Sequence, residues 1–422
     1  MASQPDFTNL AIDSLADQGD GVATADGKRI FVPLTLPGDV VDAVRANPTH
    51  ARAIAWHRRG PHRQEPPCPH FGACGGCALQ HLDPSFYRAW KIARIGGALA
   101  RRHVQTPVIA PLAETPPACR RRVSFAARRG GRQVELGFHA RESHAIVTIA
   151  QCPVAHPALV ALLGPLRALF AEILPAKRAV DALATVSDGG IDLLLDGIGA
   201  GERSARERLA AFAAENELAR LALREGKAAP DIVAIRRPPR FDFDGVTVEP
   251  PPGAFLQASI EGERAIRAAV REAIGDARRV ADLYAGCGTI ALPLARAGAR
   301  VHAVEGLREQ LEALDRAARA AGLGPRVSVE TRDLARRPLL ADELKRFDAV
   351  IFDPPRDGAA AQAAQLAQSK VARIVGVSCN PATFARDAAT LQAGGYALTH
   401  VVPIDQFLWS AHVELVGRFE RR

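Results

Sequence analysis

The 422-residue sequence predicts three folded units in series: a small β-barrel, a central α+β segment and a C-terminal α/β domain on a parallel sheet. Three observations carry this. Residues 8–58 hold short alternating apolar stretches cut by the turn signals Asp20-Gly21, Asp26-Gly27 and Pro37-Gly38-Asp39. A proline-rich linker, 61–69, then runs into closely spaced cysteines. From about residue 253 apolar strands alternate with helical segments over short connections, which implies a mostly parallel sheet covered on both faces. The boundaries fall at 1–58, 59–250 and 251–422.

In the first unit Val22, Ile30, Phe31, Val32, Val40, Val41 and Val44 supply strand interiors of a five-stranded OB-type barrel. Phe31-Val32-Pro33 followed by Leu36-Pro37-Gly38-Asp39 resembles the TRAM RNA-binding domain. The central unit opens with a helix over 86–101. β-type stretches follow at 123–126, 134–138 and 145–149, with helices near 156–174 and 201–223. Gly189-Gly190 and Asp196-Gly197 flank an apolar run, 191–195, that predicts a hairpin arm. Pro238-Pro239 and Pro250-Pro251-Pro252 mark the next boundary. In the last unit strands 280–284, 301–304 and 349–352 precede helices from Thr289, Leu307 and Ala359. The final strands, 397–404 and 412–419, have no helix between them and should pair antiparallel at one edge.

Composition limits the function classes. Apolar residues make up 48% and charged residues 24%, as in a globular domain. The most apolar stretch, 159–174, is broken by Arg167 and Glu172, which argues against a membrane span. Residues 1–15 lack a basic region followed by an apolar core, so no secretion signal is read and a cytoplasmic location is expected. The net charge is +8, and 101–132 holds eight arginines against one acid, Glu114, a patch suited to a polyanion such as RNA. Arginine also replaces lysine throughout this chain, so part of that excess is solvated surface. Seven cysteines is an odd number for disulfide pairing, and metal binding or catalysis in a reducing compartment fits better.

Asp282-Leu283-Tyr284-Ala285-Gly286-Cys287-Gly288-Thr289 reads as strand, glycine turn and helix start, where ligands bind beyond the carboxyl ends of strands. Glu305 ends the next strand and can accept hydrogen bonds from both hydroxyls of a ribose. The pattern Gly-x-Gly-x-x-Ala behind Asp282 suits a nucleoside cofactor without phosphates, such as S-adenosylmethionine, better than a dinucleotide. Tyr284 is either a core aromatic or a contact to the methionine portion. Asp353-Pro354-Pro355 followed by an aromatic would suggest methylation of an amine. Arg356 stands in that place, and Cys379 follows one strand later, which points to a carbon target.

The C5 carbon of uracil is too electron-poor to attack a methyl sulfonium unless a thiolate first adds to C6, and a base must later remove the C5 proton. Cys379, in Ser378-Cys379-Asn380-Pro381, is the candidate nucleophile. Asn380-Pro381 opens a helix whose N-terminus should lower the thiol pKa. Glu414 is the base candidate, with His412 as its partner or an alternative; a plain solvent-facing strand residue is the competing reading. Cys68, Cys74, Cys77 and Cys152 give four thiols able to hold zinc or an iron–sulfur cluster, and their uneven three-plus-one spacing leans towards [4Fe-4S]. Cys119 and Cys287 remain as packing residues.

Together these residues resemble the RNA 5-methyluridine (uracil-C5) methyltransferase family, most closely its members acting on 23S ribosomal RNA. The match includes the TRAM-like barrel, the four cysteines, Phe255-Leu256-Gln257, 282–289, Glu305, 353–356, 378–381 and His412-Val413-Glu414. The resemblance implies a Rossmann-like class I methyltransferase domain and a [4Fe-4S] cluster on Cys68, Cys74, Cys77 and Cys152. It implies S-adenosylmethionine contacts at Gln257, Tyr284, Thr289, Glu305, Asp333 and Asp353, with Cys379 as nucleophile and Glu414 as proton acceptor. Ser259 departs from the family, which commonly has asparagine there. The expected protein is a monomeric enzyme that flips a uridine out of RNA, ribosomal in preference to transfer RNA. An iron–sulfur RNA-binding protein with a degenerate methyltransferase domain is the rival from another class.

Overall fold

The computed structural model of the chain describes residues 4–131, 133–199, 201 and 203–421. The first unit is a six-stranded sheet ordered Phe7–Ala11, Val40–Asn47, His50–Arg58, Lys28–Val32, Gly21–Ala25 and Ser14–Leu15. Six strands replace the five expected because Ser14–Leu15 pairs as a short extra strand with Gly21–Ala25. Val22, Ile30, Val32 and Val41 are buried as expected, whereas Phe31, Val40 and Val44 are half-exposed because successive residues of a pleat alternate faces. The Asp39 carboxylate is wholly buried and closes the 36–39 turn, accepting from Leu36 N–H at 2.9 Å and Gly60 N–H at 2.6 Å. Arg63 reaches back to the same carboxylate at 2.5 Å, tying the cysteine-bearing segment to the first unit.

The middle sheet has seven strands, ordered Ile146–Thr148, Gln133–His139, Arg122–Gly130, Ala179–Ser187, Gly190–Asp196, Arg220–Arg224 and Asp231–Ile235. The expected hairpin is Ala179–Ser187 with Gly190–Asp196, closed at Asp188-Gly189. Leu166, Leu169 and Phe170 of Leu163–Ile173, with Leu209 and Phe212 of Arg203–Glu215, cover one face.

The third sheet carries the candidate site. Its order is Val327–Thr331, Arg300–Glu305, Arg279–Leu283, Ala349–Phe352, Arg373–Ser378, Glu414–Arg421, Tyr396–Asp405 and Val108–Ile109. The first five are parallel, and the chain switches direction of travel between Arg279–Leu283 and Ala349–Phe352, where an open α/β sheet forms its crevice. Side chains alternate between two cores. Val280, Ala303, Ile351 and Val375 face helices Ile260–Ile274, Ala291–Arg296 and Arg308–Ala320. Ala281, Leu283, Val304, Val350 and Ile374 face Ala360–Gln368 and Pro381–Ala393.

Two features of this sheet differ from the sequence expectation. Glu414–Arg421 lies inside, antiparallel to both Arg373–Ser378 and Tyr396–Asp405, and the edge is extended by Val108–Ile109. Ala113–Glu114 pairs with the far end of Tyr396–Asp405, so a segment from ahead of the middle sheet completes the last one. Helix Pro84–Arg101, capped by the Asp83 side chain with Pro84 at its first turn, packs Ile95, Ala98 and Leu99 into the second core. No described helix is long and apolar enough to cross a membrane.

Candidate active site

The residues singled out in the sequence converge at the carboxyl ends of the parallel strands. After Arg279–Leu283 the chain turns through Tyr284, Gly286 and Gly288, all at positive φ. A β-carbon on Gly288 would lie 2.8 Å from Leu314 and 2.9 Å from Leu292, so only glycine lets the turn lie against helix Arg308–Ala320. Tyr284 at φ +63 holds a conformation that costs a bulky residue about 1–3 kcal/mol. Burial, then the charges of Asp387, Asp333 and Glu305, pushes its phenol up to about 12.

Glu305 accepts from Gly286 N–H at 3.0 Å and from Leu307 N–H at 2.8 Å, which fixes its carboxylate at the crevice with lone pairs to spare. Thr289 is half-buried just ahead of helix Ala291–Arg296, which begins two residues later than expected. Asp333 is exposed, and its side chain accepts from the N–H groups of Ala335 and Arg336 at 3.1 and 3.3 Å. Asp282 is 1% exposed and neither carboxylate oxygen has a partner in hydrogen-bond geometry. Burial and then the Asp353 charge hold it well above the usual carboxylate range, the Ala291 N–H offsetting only part. An open glycine turn, an anchored ribose-type acceptor and a buried carboxylate with at most one weak backbone partner fit a nucleoside bearing an amino group.

Cys379 lies between strand Arg373–Ser378 and helix Pro381–Ala393, whose cap is the Asn380 side chain bonded to Ala382 N–H at 3.1 Å. Gly376 and Gly417 face one another across the strands. A β-carbon on Gly417 would come within 2.4 Å of Phe384, so the pair makes room for the first turns of that helix. The expected depression of the thiol pKa is not found. Burial, then the charges of Glu414 and Asp353, raises it to about 11, and Arg356 opposes them by charge and hydrogen bond. Desolvation plus two nearby carboxylates outweigh one helix terminus.

Glu414 begins the strand beside Cys379 and is 3% exposed. Burial first, then the neighbouring Asp353 carboxyl, raises its pKa, and burial raises that of Asp353. Gln257 Nε2 donates to Asp353 Oδ2 at 3.4 Å. His412 does not partner Glu414. Its ring meets Arg356 Nη2, 2.9 Å from Nδ1, and burial, then Arg356, lowers its pKa to about 4, leaving it a neutral acceptor.

Sequence reading missed Gln406 and Lys91 at this site and gave Arg356 no part beyond replacing an aromatic. Gln406 Nε2 donates to Glu414 Oε2 at 2.6 Å. Arg356 faces the thiol, and its loop is held by Asn380 Nδ2 and Thr383 Oγ1, which donate to its carbonyl at 3.1 and 3.2 Å. Lys91 is fully buried, 2.8 Å from Asp405 Oδ1, and donates to the carbonyls of Phe407 and His412. The readable signal for Gln406 is slight: a polar residue just after an apolar strand, eight residues before Glu414.

The arginine-rich segment is not a free basic patch. Arg121 is buried against Glu263, Arg122 bonds the carbonyls of Gly253 and Ala254, Arg101 meets Asp17, and Arg128 meets Glu135. Arg102 is exposed, and Arg132 lies outside the described residues. Counting charges along a chain does not reveal which guanidinium groups the fold turns inward.

Cys68, Cys74, Cys77 and Cys152 line one cavity of about 270 Å³ together with Arg120 and Leu408. Burial, offset by Gln80 and reinforced by the other three thiols, drives Cys77 up to about 12. Among the described residues no three His, Cys, Asp or Glu are gathered to hold a single metal ion. Four thiols lining one cavity are the donor set that either zinc or an iron–sulfur cluster takes. Cys287 is buried in the core and Cys119 half-buried, in keeping with packing roles.

Residues 328–421 match the family model described as tRNA (Uracil-5-)-methyltransferase. An uncharacterized RNA methyltransferase of Rhizobium meliloti is 44% identical over 98% of this chain and 99% of its own length. A protein of Halomonas elongata named 23S rRNA (uracil(1939)-C(5))-methyltransferase RlmD is 35% identical over 96% of this chain and 88% of its own. The crystal structure of a Pyrococcus abyssi tRNA (uracil-54, C5)-methyltransferase with S-adenosyl-L-homocysteine superposes with a TM-score of 0.73, covering 98% of this chain and 100% of that one at 22% identity.

Proposed function

Because this chain belongs to the RNA (uracil-C5) methyltransferase family, we propose that it methylates C5 of a uridine in 23S ribosomal RNA through a covalent bond from Cys379 to C6. The observation that supports the covalent scheme best is the mutual electrostatic contact of Cys379, Glu414 and Asp353, delivered from the ends of three different strands. The ribosomal target rests on the 35% identical relative.

Gln257, Tyr284, Thr289, Glu305 and Asp353 would hold S-adenosylmethionine, with Asp333 beside Tyr284. When bound there, it supplies a methyl group on a sulfonium. Cys379 first loses its proton to water, and Arg356 stabilises the thiolate that forms. The thiolate forms the S–C6 bond and the ring electrons shift towards C5. C5 takes the methyl carbon as the sulfonium–methyl bond breaks. Glu414 then removes the C5 proton, the C5–C6 double bond returns and the S–C6 bond breaks, restoring the thiolate.

Residues 1–58 would be a TRAM-type RNA-binding barrel, 59–250 the cluster-bearing unit and 251–422 the methyltransferase domain, its sheet completed by 84–114. Cys68, Cys74, Cys77 and Cys152 would carry a [4Fe-4S] cluster. Replacing Cys77 with serine should then strip iron and sulfide from anaerobically purified protein; unchanged iron content would contradict that ligand set. The enzyme would act as a cytoplasmic monomer.

Glu414→Gln should slow turnover by about 10²–10⁴-fold and leave a methylated RNA–protein adduct visible on a denaturing gel. Fast turnover without adduct would reject Glu414 as the base. The target is tested by mapping 5-methyluridine in RNA from cells with and without the gene. Loss from 23S ribosomal RNA is expected, whereas loss from transfer RNA alone would reassign the substrate.

A further inference from the structure

We propose that Gln406 is the positioning residue that holds the base Glu414 and the cofactor-side Gln257 in one register. This rests on the role of Glu414 given above and adds to it a residue that the sequence reading did not single out.

Gln406 follows directly on strand Tyr396–Asp405 and is 3% exposed. Its Oε1 accepts from Ala258 N–H at 3.1 Å. A backbone N–H can only donate, so the oxygen end of the amide is fixed there and Nε2 must point the other way. Nε2 donates to Glu414 Oε2 at 2.6 Å and to Gln257 Oε1 at 2.8 Å, using both its hydrogens. With its own oxygen engaged, Gln257 turns its Nε2 to Asp353 Oδ2. The run from Ala258 to Asp353 therefore has a single direction, and its side-chain donors reach both carboxylates.

A second observation is independent of those hydrogen bonds. A β-carbon on Gly262, in the first turn of helix Ile260–Ile274, would lie 2.5 Å from Gln406 Cβ. The helix leaves that space for the Gln406 side chain, which is what a dedicated seat requires.

The titratable and charged groups facing Glu414 are Asp353 and Cys379 beside it, Arg356 and His412 across the thiol, and the Lys91–Asp405 pair beneath the loop. Among them Asp353 opposes ionisation of Glu414, while the Gln406 hydrogen bond favours it. Removing that donor should leave Glu414 both less fixed and harder to ionise.

Gln406→Met keeps the length and flexibility of the side chain and removes its donor. The acid limb of the kcat profile should move to higher pH, with kcat at neutral pH falling about tenfold for a one-unit shift and recovering in alkali. KM for RNA should change little by comparison. RNA containing 5-fluorouridine has no C5 proton to remove, so with saturating S-adenosylmethionine the adduct yield on that substrate should equal the wild type. An unchanged pH profile would overturn the proposal. Loss of the 5-fluorouridine adduct in the variant alone would also overturn it, since Gln406 would then support the site generally. Absence of the adduct in the wild type would instead remove the covalent reading on which the proposal stands.

Discussion

Replacing Cys379 with alanine abolishes methyl transfer, with an expected loss on the order of 10⁴-fold or more, while binding of RNA persists. The size follows from what the thiol supplies. No other described group near Glu414 and Asp353 is a nucleophile of comparable strength, and without addition at C6 the target carbon has no electrons to offer the methyl group. Arginine 356 cannot substitute, because its role is to favour the thiolate by charge. Serine at the same position should fail almost as badly, since a hydroxyl in a site that already raises a thiol to about 11 stays protonated. Single-turnover transfer of a labelled methyl group measures this, and residual turnover within about tenfold of wild type would refute the covalent role.

The second large effect is expected beneath the loop that leads to Glu414. Lys91 and Asp405 are both wholly buried, joined at 2.8 Å, and Tyr87 Oη donates to the other Asp405 oxygen at 2.5 Å. Lys91 also donates to the carbonyls of Phe407 and His412, Arg94 to that of Ala411, and the N–H groups of Ala78 and Leu79 to that of Trp409. The loop carrying Gln406 and His412 up to Glu414 is thus fastened from helix Pro84–Arg101 and from the chain just after Cys77. Lys91→Met should cost about 3–5 kcal/mol of stability, because it strands the Asp405 carboxylate without its cation. The double variant Lys91→Met with Asp405→Leu should regain much of that loss. Denaturant midpoints of the three proteins measure it, and a single variant as stable as wild type would contradict the account.

The parts of the fold legible in the sequence are those with a period. Strand and helix alternation after residue 253 located the strands Arg279–Leu283, Arg300–Glu305 and Ala349–Phe352 of the parallel run but not Val327–Thr331. The residues read as motifs, Tyr284, Glu305, Asp353 and Cys379, stand at the carboxyl ends of those strands. Val108–Ile109 and Ala113–Glu114 were not legible, because two-residue strands have no alternation to detect and their partner lies near the other end of the chain. Lys91 and Asp405 are 314 residues apart, and a lysine in an otherwise amphipathic helix reads as solvated until its partner is known. The thiol pKa was misjudged for a related reason. The helix start beside Cys379 is local and visible, whereas the carboxylates that outweigh it arrive from other strands. Gln406 is the same case in small: its neighbours Ala258, Gln257 and Glu414 meet only in the folded chain.

The most direct test of the central claim is to incubate the protein with S-adenosylmethionine and 23S ribosomal RNA fragments carrying 5-fluorouridine, then digest the product and locate the nucleotide by mass. The nucleotide should be found on the peptide containing Cys379, bearing one added methyl group. A nucleotide attached elsewhere, or no stable attachment in a protein that methylates unmodified RNA, would contradict it.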